Sequence, residues 1–278
     1  MSSVPLFSGS IPENYERSLG PYIFEPYALD LAARVGPGGA FRSSTHSGTP
    51  RVLETACGTG RVTAHLRSLL PETVELIATD LNPDMIAMAK AIVPARGIDW
   101  RVADAQALDF PDNYFDALVC QFGLMFMPDK AKALAEAHRV LKPNGRLLLS
   151  TWDKLENNPA FFMANQFVRR YFPTNPPMFF HLPFSLYEEP RLAALLAEAG
   201  FQDIRIELVK KEGRSPSAAD AVTGMLEGSP MYSAINERNP ALLPVLKKEL
   251  TAELAGQFGD APMVSAMQAW VVEGVKIS

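Results

Sequence analysis

The stretch of sequence that decides the fold is residues 52–61, Val52-Leu53-Glu54-Thr55-Ala56-Cys57-Gly58-Thr59-Gly60-Arg61. Its first half is typical of a buried strand, and from Arg61 the apolar positions recur at helical spacing. The two glycines between them let the backbone turn tightly and approach a ligand without a Cβ in the way. The free N–H groups that open the helix favour an anionic group. We therefore predict a strand, a ligand-binding loop and a helix.

Strand and helix patterns alternate around this loop. Strands are predicted at Arg51–Thr55, Thr73–Ala78, Ile98–Val102, Phe115–Gln121 and Arg146–Thr151, and helices at Arg61–Leu70, Pro83–Ile92 and Lys130–Leu141. Such alternation predicts a parallel sheet joined by right-handed crossovers. Ligands of these sheets bind outside the carboxyl ends of the strands, which is where functional residues are expected.

The flanking regions differ from this core. A helical pattern covers Glu13–Val35, and the Gly-, Ser- and Thr-rich stretch Gly36–Pro50 reads as a linker. After Trp152 an aromatic and proline-rich segment, Asn157–Pro183, precedes helices at Arg191–Ala199, Pro216–Gly228 and Pro240–Gly256 and strands at Ile204–Val209 and Met267–Val275. We divide the chain into an N-terminal helical cap (1–36), a cofactor-binding core (37–152) and a segment (153–278) that holds an aromatic lid and the last strands and helices of the same domain.

Composition limits the classes of function. The chain has 278 residues, 47% of them hydrophobic, a net charge of −5 and no long basic run, so nucleic acid is not an expected partner. Cys57 and Cys120 form no CxxC or Cys/His cluster, which predicts reduced thiols and no metal. The N-terminus lacks a signal-peptide pattern, and the longest apolar run, Ala117–Pro128, is too short to span a bilayer. A cytoplasmic protein without an integral membrane segment is expected.

Two acids follow the glycine loop at informative places. Asp80 follows the end of the next predicted strand, 20 residues after Gly60, where a carboxylate can accept both hydroxyl hydrogens of a ribose. Asp104 follows the third strand, where it can accept the amino hydrogens of adenine while Ala105 donates a backbone N–H. Aspartate is common in loops, so Asp104 is informative only together with the glycine loop and Asp80. Together they predict an adenosine-containing cofactor.

Several segments carry a family resemblance. They read E-T-A-C-G-T-G-R (54–61), A-T-D-L-N-P-D-M (78–85), A-D-A (103–105), F-D-A-L-V-C-Q-F-G (115–123) and R-V-L-K-P-N-G-R-L-L-L-S-T-W (139–152). The combination resembles class I S-adenosylmethionine-dependent methyltransferases, nearest the ubiquinone/menaquinone-biosynthesis-like (methyltransferase type 11/25) branch. The likeness covers roughly residues 50–152. It implies a Rossmann-like doubly wound α/β fold with seven strands, the last antiparallel, and helical lid elements.

The resemblance also implies S-adenosylmethionine as cofactor, S-adenosylhomocysteine as product, and a set of cofactor-binding residues. These are Glu54, Cys57, Gly58, Gly60, Asp80, Leu81, Met85, Asp104, Ala105, Gln121 and Phe122. The glycine loop would lie under the methionine portion, with Glu54 acting through water or on the ammonium. Asp80 would hold the ribose, Leu81 and Met85 would pack on the adenine, and the 104–105 pair would read the adenine edge. The pair 121–122 would line the mouth where the methyl group emerges.

One departure from the family pattern concerns the turn before the fifth strand. Asn144 replaces the first glycine of the usual K-P-G-G turn. Asparagine tolerates left-handed backbone geometry, so we expect the turn to be retained.

The acceptor is less well defined by the sequence. Methyl transfer is an in-line displacement, and positioning alone can lower the barrier by as much as ~7–11 kcal/mol, so a general base is optional. His181 is the candidate base, against the alternative of a structural or exposed histidine. We expect the acceptor to be lined by the 157–183 segment and by aromatic residues of the N-terminal helix, although large aromatics also fill cores. Those residues are Tyr15, Tyr22, Phe24 and Tyr27.

The expected function is methyl transfer to a small, rather hydrophobic molecule. A non-catalytic protein that binds S-adenosylmethionine or S-adenosylhomocysteine is one alternative. An NAD-dependent oxidoreductase is another, but its loop needs a third small residue, and Thr63 occupies that position. The small-molecule acceptor is the expected partner, and a homodimer is an open alternative.

Overall fold

The computed structural model describes residues 9, 11–36, 49–94 and 96–277. Most of the predicted linker, and the start of the predicted N-terminal cap, lie outside these described residues.

A seven-stranded sheet organises the fold. Its strands are β1 (Arg51–Thr55), β2 (Glu75–Asp80), β3 (Ile98–Val102), β4 (Phe115–Gln121), β5 (Leu141–Trp152), β6 (Gln202–Ser215) and β7 (Met263–Val275). They lie in the order β3-β2-β1-β4-β5-β7-β6. Strands β1 to β5 pair in parallel, whereas β7 pairs antiparallel with β5. The predicted doubly wound sheet with an antiparallel last strand is confirmed.

The strand order reverses between β1 and β4. The chain builds outward from β1 to β3 on one side and then returns to β4 on the other side. In open α/β sheets this reversal leaves a crevice at the carboxyl ends of the strands, where ligands bind. The glycine loop after β1 therefore lies at the topological switch point.

Helices flank the strands along the chain. They are α1 (Ile11–Asn14), a π-helix (Tyr15–Phe24), α2 (Glu25–Val35), α3 (Arg61–Leu69), α4 (Pro83–Ile92), α5 (Lys130–Val140), α6 (Pro159–Tyr171), α7 (Glu189–Glu198), α8 (Ala218–Glu227), α9 (Met231–Arg238) and α10 (Leu243–Phe258). The predicted N-terminal helix is present, but its middle is π-helical and contains Pro21. Proline has no N–H and interrupts an α-helical hydrogen-bond ladder.

Two helices were not predicted. Helix α6 lies in the aromatic segment, and it begins with Pro159 at its first position, where the missing N–H costs nothing. Its buried residues Phe161, Ala164 and Val168 recur three to four positions apart, which is the helical period. The prolines in the segment concealed this pattern. Helix α9, which follows Pro230, was missed for a similar reason.

The turn that opens β5 has the expected geometry. Asn144 has a φ of 64°, so the prediction that asparagine adopts the left-handed region there is confirmed. Strand β5 begins at Leu141, before this turn, and β2 runs from Glu75 to Asp80 rather than from Thr73 to Ala78. The N–H of Val74 closes a turn on the Pro71 carbonyl, which keeps residues 73–74 out of the strand.

The described residues form two compact units. The sheet unit comprises Tyr27–Trp152, Leu186–Val209 and the chain from Ala269 onward, and the helical unit comprises the chain up to Pro26, Asp153–Ser185 and Lys210–Gln268. The boundaries predicted at residues 36 and 152 stay predictions of domain organisation. Within the part of the chain that the structure describes, no helix is long and apolar enough to cross a membrane.

Candidate cofactor site

The loop after β1 is a tight, left-handed turn. Ala56, Gly58 and Gly60 have φ values of 53°, 54° and 84°. The Cys57 N–H donates to the Thr79 carbonyl of β2 at 2.9 Å, and the Gly60 N–H donates to the Cys57 carbonyl at 2.9 Å. These bonds fix the loop against the neighbouring strand and direct the chain into α3, whose first N–H groups point towards the switch point.

Gly60 is required by packing behind the loop as well as by its backbone angle. A Cβ built there would lie 2.8 Å from Cη2 of Trp100 and 3.0 Å from Cγ2 of Val93. The indole of Trp100 also packs against a buried cluster that contains the Cys57 side chain and Ile86. The Cys57 side chain therefore packs in the core, and only its backbone is available to the loop.

Glu54 lies beneath the loop in a buried position. Its side chain is 1% exposed, and Oε2 accepts a hydrogen bond from the Thr63 hydroxyl at 2.6 Å. Burial raises the pKa of Glu54 to about 8, the Thr63 bond opposes this, and the charge of Asp80 adds to it. Burial thus favours the protonated form of this carboxyl, and a cation beside it would favour the ionised form.

Asp80 connects the glycine loop to the start of α4. Its Oδ2 accepts the Gly58 N–H at 2.9 Å, and its Oδ1 accepts the Asn82 N–H at 2.8 Å. Burial raises the pKa of Asp80, while these N–H donors counteract the rise. The Leu81 N–H also counteracts the rise, and a carboxylate with about four lone-pair sites keeps acceptor capacity for a ligand hydroxyl. The residue fits the predicted ribose site and also shapes the loop.

The adenine side of the predicted site lies at the end of β3. Val102 is in register with Asp80, and the Ala103 N–H donates to the Asp80 carbonyl at 3.0 Å, so the predicted 104–105 pair follows directly beside the ribose position. Leu81 and Val102 are 62% and 55% exposed, which suits packing on a flat base, whereas Met85 is buried. Val102 is not among the predicted site residues, because in sequence it reads as an ordinary strand residue.

Phe122 follows β4 in an unusual backbone conformation. Its φ is 50°, and its N–H donates to the Ser150 carbonyl at 3.0 Å. The ring lies flat against Trp152, and the ring of Tyr27 meets both at an edge, with centroids 5.4 and 5.3 Å away. The Tyr27 hydroxyl donates to the Val209 carbonyl at 3.1 Å. These three buried rings form an aromatic cluster, Tyr27–Phe122–Trp152, at the carboxyl ends of β4 and β5.

The loops after β1 and β4 touch each other. A Cβ built on Gly123 would lie 2.5 Å from the Cβ of Ala56 and 2.8 Å from the Cys120 sulfur. Ala56, which lies at this contact, and Phe122, which precedes Gly123, both have a positive φ although neither is glycine. Backbone strain of this kind concentrates at functional sites.

Four residues that were predicted to act on the methyl acceptor, three that line it and the candidate base, belong to the helical unit. Tyr22 is fully buried with its hydroxyl 2.6 Å from that of Ser265, and burial raises its pKa to about 12. Tyr15 and Phe24 stack on each other with centroids 4.8 Å apart. His181 ends the short 3₁₀ turn Phe179–His181 and is exposed. Their predicted roles towards the acceptor stay predictions.

The two cysteines show no sign of redox chemistry. Both are free and buried, and burial raises the pKa of each thiol, to about 11 for Cys120. A raised thiol pKa lowers the fraction of reactive thiolate.

A parallel sheet whose first strand runs into a glycine loop, with acids at the ends of the next two strands, is typical of α/β proteins that bind a nucleoside cofactor. A family model described as a methyltransferase domain matches residues 53–149. The ubiquinone/menaquinone biosynthesis C-methyltransferase UbiE of Yersinia pestis is 36% identical over 168 residues, 55% of this chain and 67% of that protein. UbiE of Erwinia tasmaniensis is 42% identical over 113 residues, 39% of this chain and 45% of that protein.

Solved structures share the fold. The YcgJ protein of Bacillus subtilis superposes with a TM-score of 0.56 at 19% identity, covering 91% of this chain and 99% of that one. The phosphoethanolamine N-methyltransferase 2 of Haemonchus contortus, in complex with S-adenosyl-L-methionine, superposes with a TM-score of 0.56 at 17% identity, covering 96% and 57%.

The chain belongs to the class I S-adenosylmethionine-dependent methyltransferases of the ubiquinone/menaquinone-biosynthesis type. The predicted enzyme class and cofactor are confirmed, and neither the oxidoreductase nor the non-catalytic alternative is favoured.

Proposed function

We propose that the protein transfers the methyl group of S-adenosylmethionine to a carbon atom of a small, rather hydrophobic molecule. The supporting observation is the aromatic cluster Tyr27–Phe122–Trp152 beside the Phe122–Gly123 turn, which gives the carboxyl ends of β4 and β5 an apolar character. Apolar walls with few polar groups suit a hydrophobic acceptor. The choice of carbon follows from the relatives, whose name describes C-methyltransferases.

In this proposal the residues of the chain hold and orient the cofactor. When bound, S-adenosylmethionine supplies an activated methyl group on a sulfonium sulfur. The glycine loop supports the methionine portion, and ionised Glu54 accepts from its ammonium directly or through water. Asp80 accepts from the ribose hydroxyls with the lone pairs that Gly58 and Asn82 leave available.

Residues at the ends of β4 and β5 then hold the acceptor and exclude water. Gln121 and Phe122 line the mouth at which the methyl group emerges, and the stacked indole of Trp152 supports the Phe122 ring. A carbon acceptor must lose a proton after the transfer. His181 remains the proposed base, and its exposed position would let it return that proton to solvent.

The test is an assay with S-adenosylmethionine that carries an isotopically labelled methyl group. The acceptors are a hydrophobic dihydroxybenzene with an unsubstituted ring carbon and a matched compound in which that carbon is blocked. Nuclear magnetic resonance of the product should show a new carbon–carbon bond for the first compound and no product for the second. Methyl ethers from both would exclude carbon as the acceptor atom.

One variant and one binding measurement sharpen this assay. His181→Ala should lower turnover without changing the affinity for S-adenosylhomocysteine, and intact turnover would remove the base assignment. Binding of S-adenosylhomocysteine without turnover on any acceptor would instead support the non-catalytic alternative.

A cytoplasmic location and a homodimer also stay proposals. Light scattering of the purified protein measures whether it is a homodimer.

A further inference from the structure

The side chain of Gln106 uses both ends of its amide group. Its Nε2 lies 3.1 Å from Oδ1 of Asp104, and its Oε1 accepts the backbone N–H of Asp129 at 2.8 Å. The Asp129 N–H is a donor only, so the amide oxygen must face it. The amide nitrogen is therefore directed at Asp104, and the orientation of the group follows from its partners.

The bonds to Asp104 are unequally shared between its two carboxylate oxygens. Oδ1 accepts both the backbone N–H of Gln106 at 2.8 Å and its amide nitrogen at 3.1 Å. Among the residues that the structure describes, the contact to Oδ2 is a longer one of 3.5 Å, with the same amide nitrogen. One oxygen is thus occupied by the protein, while the other keeps its stronger acceptor capacity for a group outside the loop.

The far end of this arrangement is firmly anchored. Asp129 is the N-cap of α5, and its side chain accepts the Lys132 N–H at 2.9 Å. Further along the same loop, Arg139 of α5 donates to the carbonyls of Leu108 and Phe110, both at 2.8 Å. The loop that carries Asp104 is consequently held to the start of α5 through Gln106, and to the last turn of α5 through the carbonyls of Leu108 and Phe110.

We propose that Gln106 is a positioning residue that directs Oδ2 of Asp104 at the exocyclic amino group of adenine, and so gives the enzyme its preference for adenosyl over inosyl cofactors. The inference rests on the proposed adenine-binding role of Asp104. A carboxylate oxygen held in this orientation accepts a hydrogen bond from an amino group. It repels the carbonyl oxygen that replaces the amino group in hypoxanthine. A site built to hydrogen-bond a ligand group rejects analogues that lack the group.

The experiment compares S-adenosylhomocysteine with S-inosylhomocysteine by calorimetry on the full chain. The wild type should bind the adenosyl compound at least tenfold more tightly, which is the scale of one charge-assisted hydrogen bond. Gln106→Leu should weaken the adenosyl compound by about tenfold and leave the inosyl compound nearly unchanged, so that the preference is lost. A role limited to loop stability would weaken both compounds equally.

Two more variants complete the design. Gln106→Glu is similar in size but replaces the amide donor with a second carboxylate beside Asp104, and it should lose the preference as well. Gln166→Leu is the matched control, because Gln166 is exposed on α6, and it should change neither affinity. Circular dichroism and thermal melting of each variant identify any loss of fold. If one Gln106 variant does not fold, the affinities of the other Gln106 variant test the inference.

The outcomes separate this inference from the function on which it rests. No binding of either compound to the wild type would overturn the proposed cofactor site itself. Equal binding of both compounds would remove Asp104 from the adenine while leaving the cofactor site intact. A wild-type preference that both Gln106 variants retain would overturn the positioning role alone.

Discussion

The ring of Phe122 lies parallel to the indole of Trp152, with centroids 3.9 Å apart and planes inclined by 2°. Phe122 directly follows β4 and Trp152 ends the neighbouring strand β5, and the Phe122 N–H donates to the carbonyl of Ser150, two residues before Trp152. Stacking and hydrogen bonding together hold Phe122 at a positive φ that bulky residues rarely adopt. Tertiary contacts thus maintain a strained residue where the acceptor is proposed to bind.

Loss of the Phe122 ring should lower the stability of the protein. Phe122→Ala should lower the free energy of unfolding by about 3–5 kcal/mol, because a buried aromatic ring is replaced by a cavity. Urea unfolding followed by circular dichroism measures the change. Met178→Ala is the control, because Met178 is 53% exposed and its truncation should cost less than about 0.5 kcal/mol. Equal effects of the two substitutions would contradict the buried stack.

Glu54 should make the stability of the cofactor-free protein depend on pH. Its folded-state pKa of about 8 lies above the ordinary 4.5, so the folded protein holds a proton that the unfolded chain releases. The stabilising contribution is complete below pH 4.5 and is lost as the pH rises through about 8. Glu54→Gln retains an acceptor for Thr63 but cannot ionise. Its stability relative to the wild type should therefore increase from pH 5 to pH 9.

Urea unfolding of both proteins across this pH range measures the difference. Groups that titrate independently of Glu54 contribute equally to both curves and cancel when the curves are subtracted, whereas Asp80, whose charge interacts with Glu54, contributes to the difference. Parallel curves would show that Glu54 is already ionised in the folded protein.

Asp80 should contribute to cofactor binding in two ways. Asp80→Ala removes the proposed acceptor for the ribose and also the acceptors for the Gly58 and Asn82 N–H groups. The affinity for S-adenosylhomocysteine should fall by about 1.5–3 kcal/mol, the range for hydrogen bonds to charged groups. Calorimetry measures the loss, with Asp84→Ala on the exposed side of α4 as the matched control. Unchanged affinity would remove Asp80 from the ribose.

The close contact at Gly123 should couple the loop after β4, where the acceptor is proposed to bind, to the loop after β1, where the cofactor is proposed to bind. Gly123→Ala places a Cβ 2.5 Å from that of Ala56, so one loop must move and S-adenosylhomocysteine should bind more weakly. Gly256→Ala is the control, because no heavy atom lies within 4 Å of the new Cβ and alanine favours the helix α10 by about 1 kcal/mol. If the Gly123 variant bound as tightly as the wild type, the two loops would be independent.

Much of the core could be predicted because its signals are local. Strands β1, β3 and β4 and helix α4 have the predicted bounds, since strong apolar periodicity and flanking turn residues act within a few positions. The positive φ of Asn144 could be predicted as well, because it depends on the conformational preference of asparagine itself. The 54–61 and 78–85 segments indicated the cofactor because a glycine turn and a strand-terminal acid have a chemical meaning at fixed spacing.

The remaining features depend on residues that are far apart in the chain. Nothing near Gln106 indicates that its amide bridges Asp104 to the N–H of Asp129, 23 positions away. The aromatic segment concealed α6, and the N-terminal helix gave no sign of its π-helical middle. Tyr27 reads as one of several aromatics on that helix, yet it packs against the ring of Phe122.

By itself, then, the sequence determined the class of fold, the cofactor and the edge of the sheet at which we expect the cofactor to bind, because backbone preference and short-range spacing depend on neighbouring residues in the chain. Only the tertiary structure decided which side chains meet at that edge, which oxygens of Asp80 and Asp104 are already occupied, and which residues bear strain. Such contacts arise from the packing of separate elements against one another, and their energies have no counterpart in any local pattern of residues.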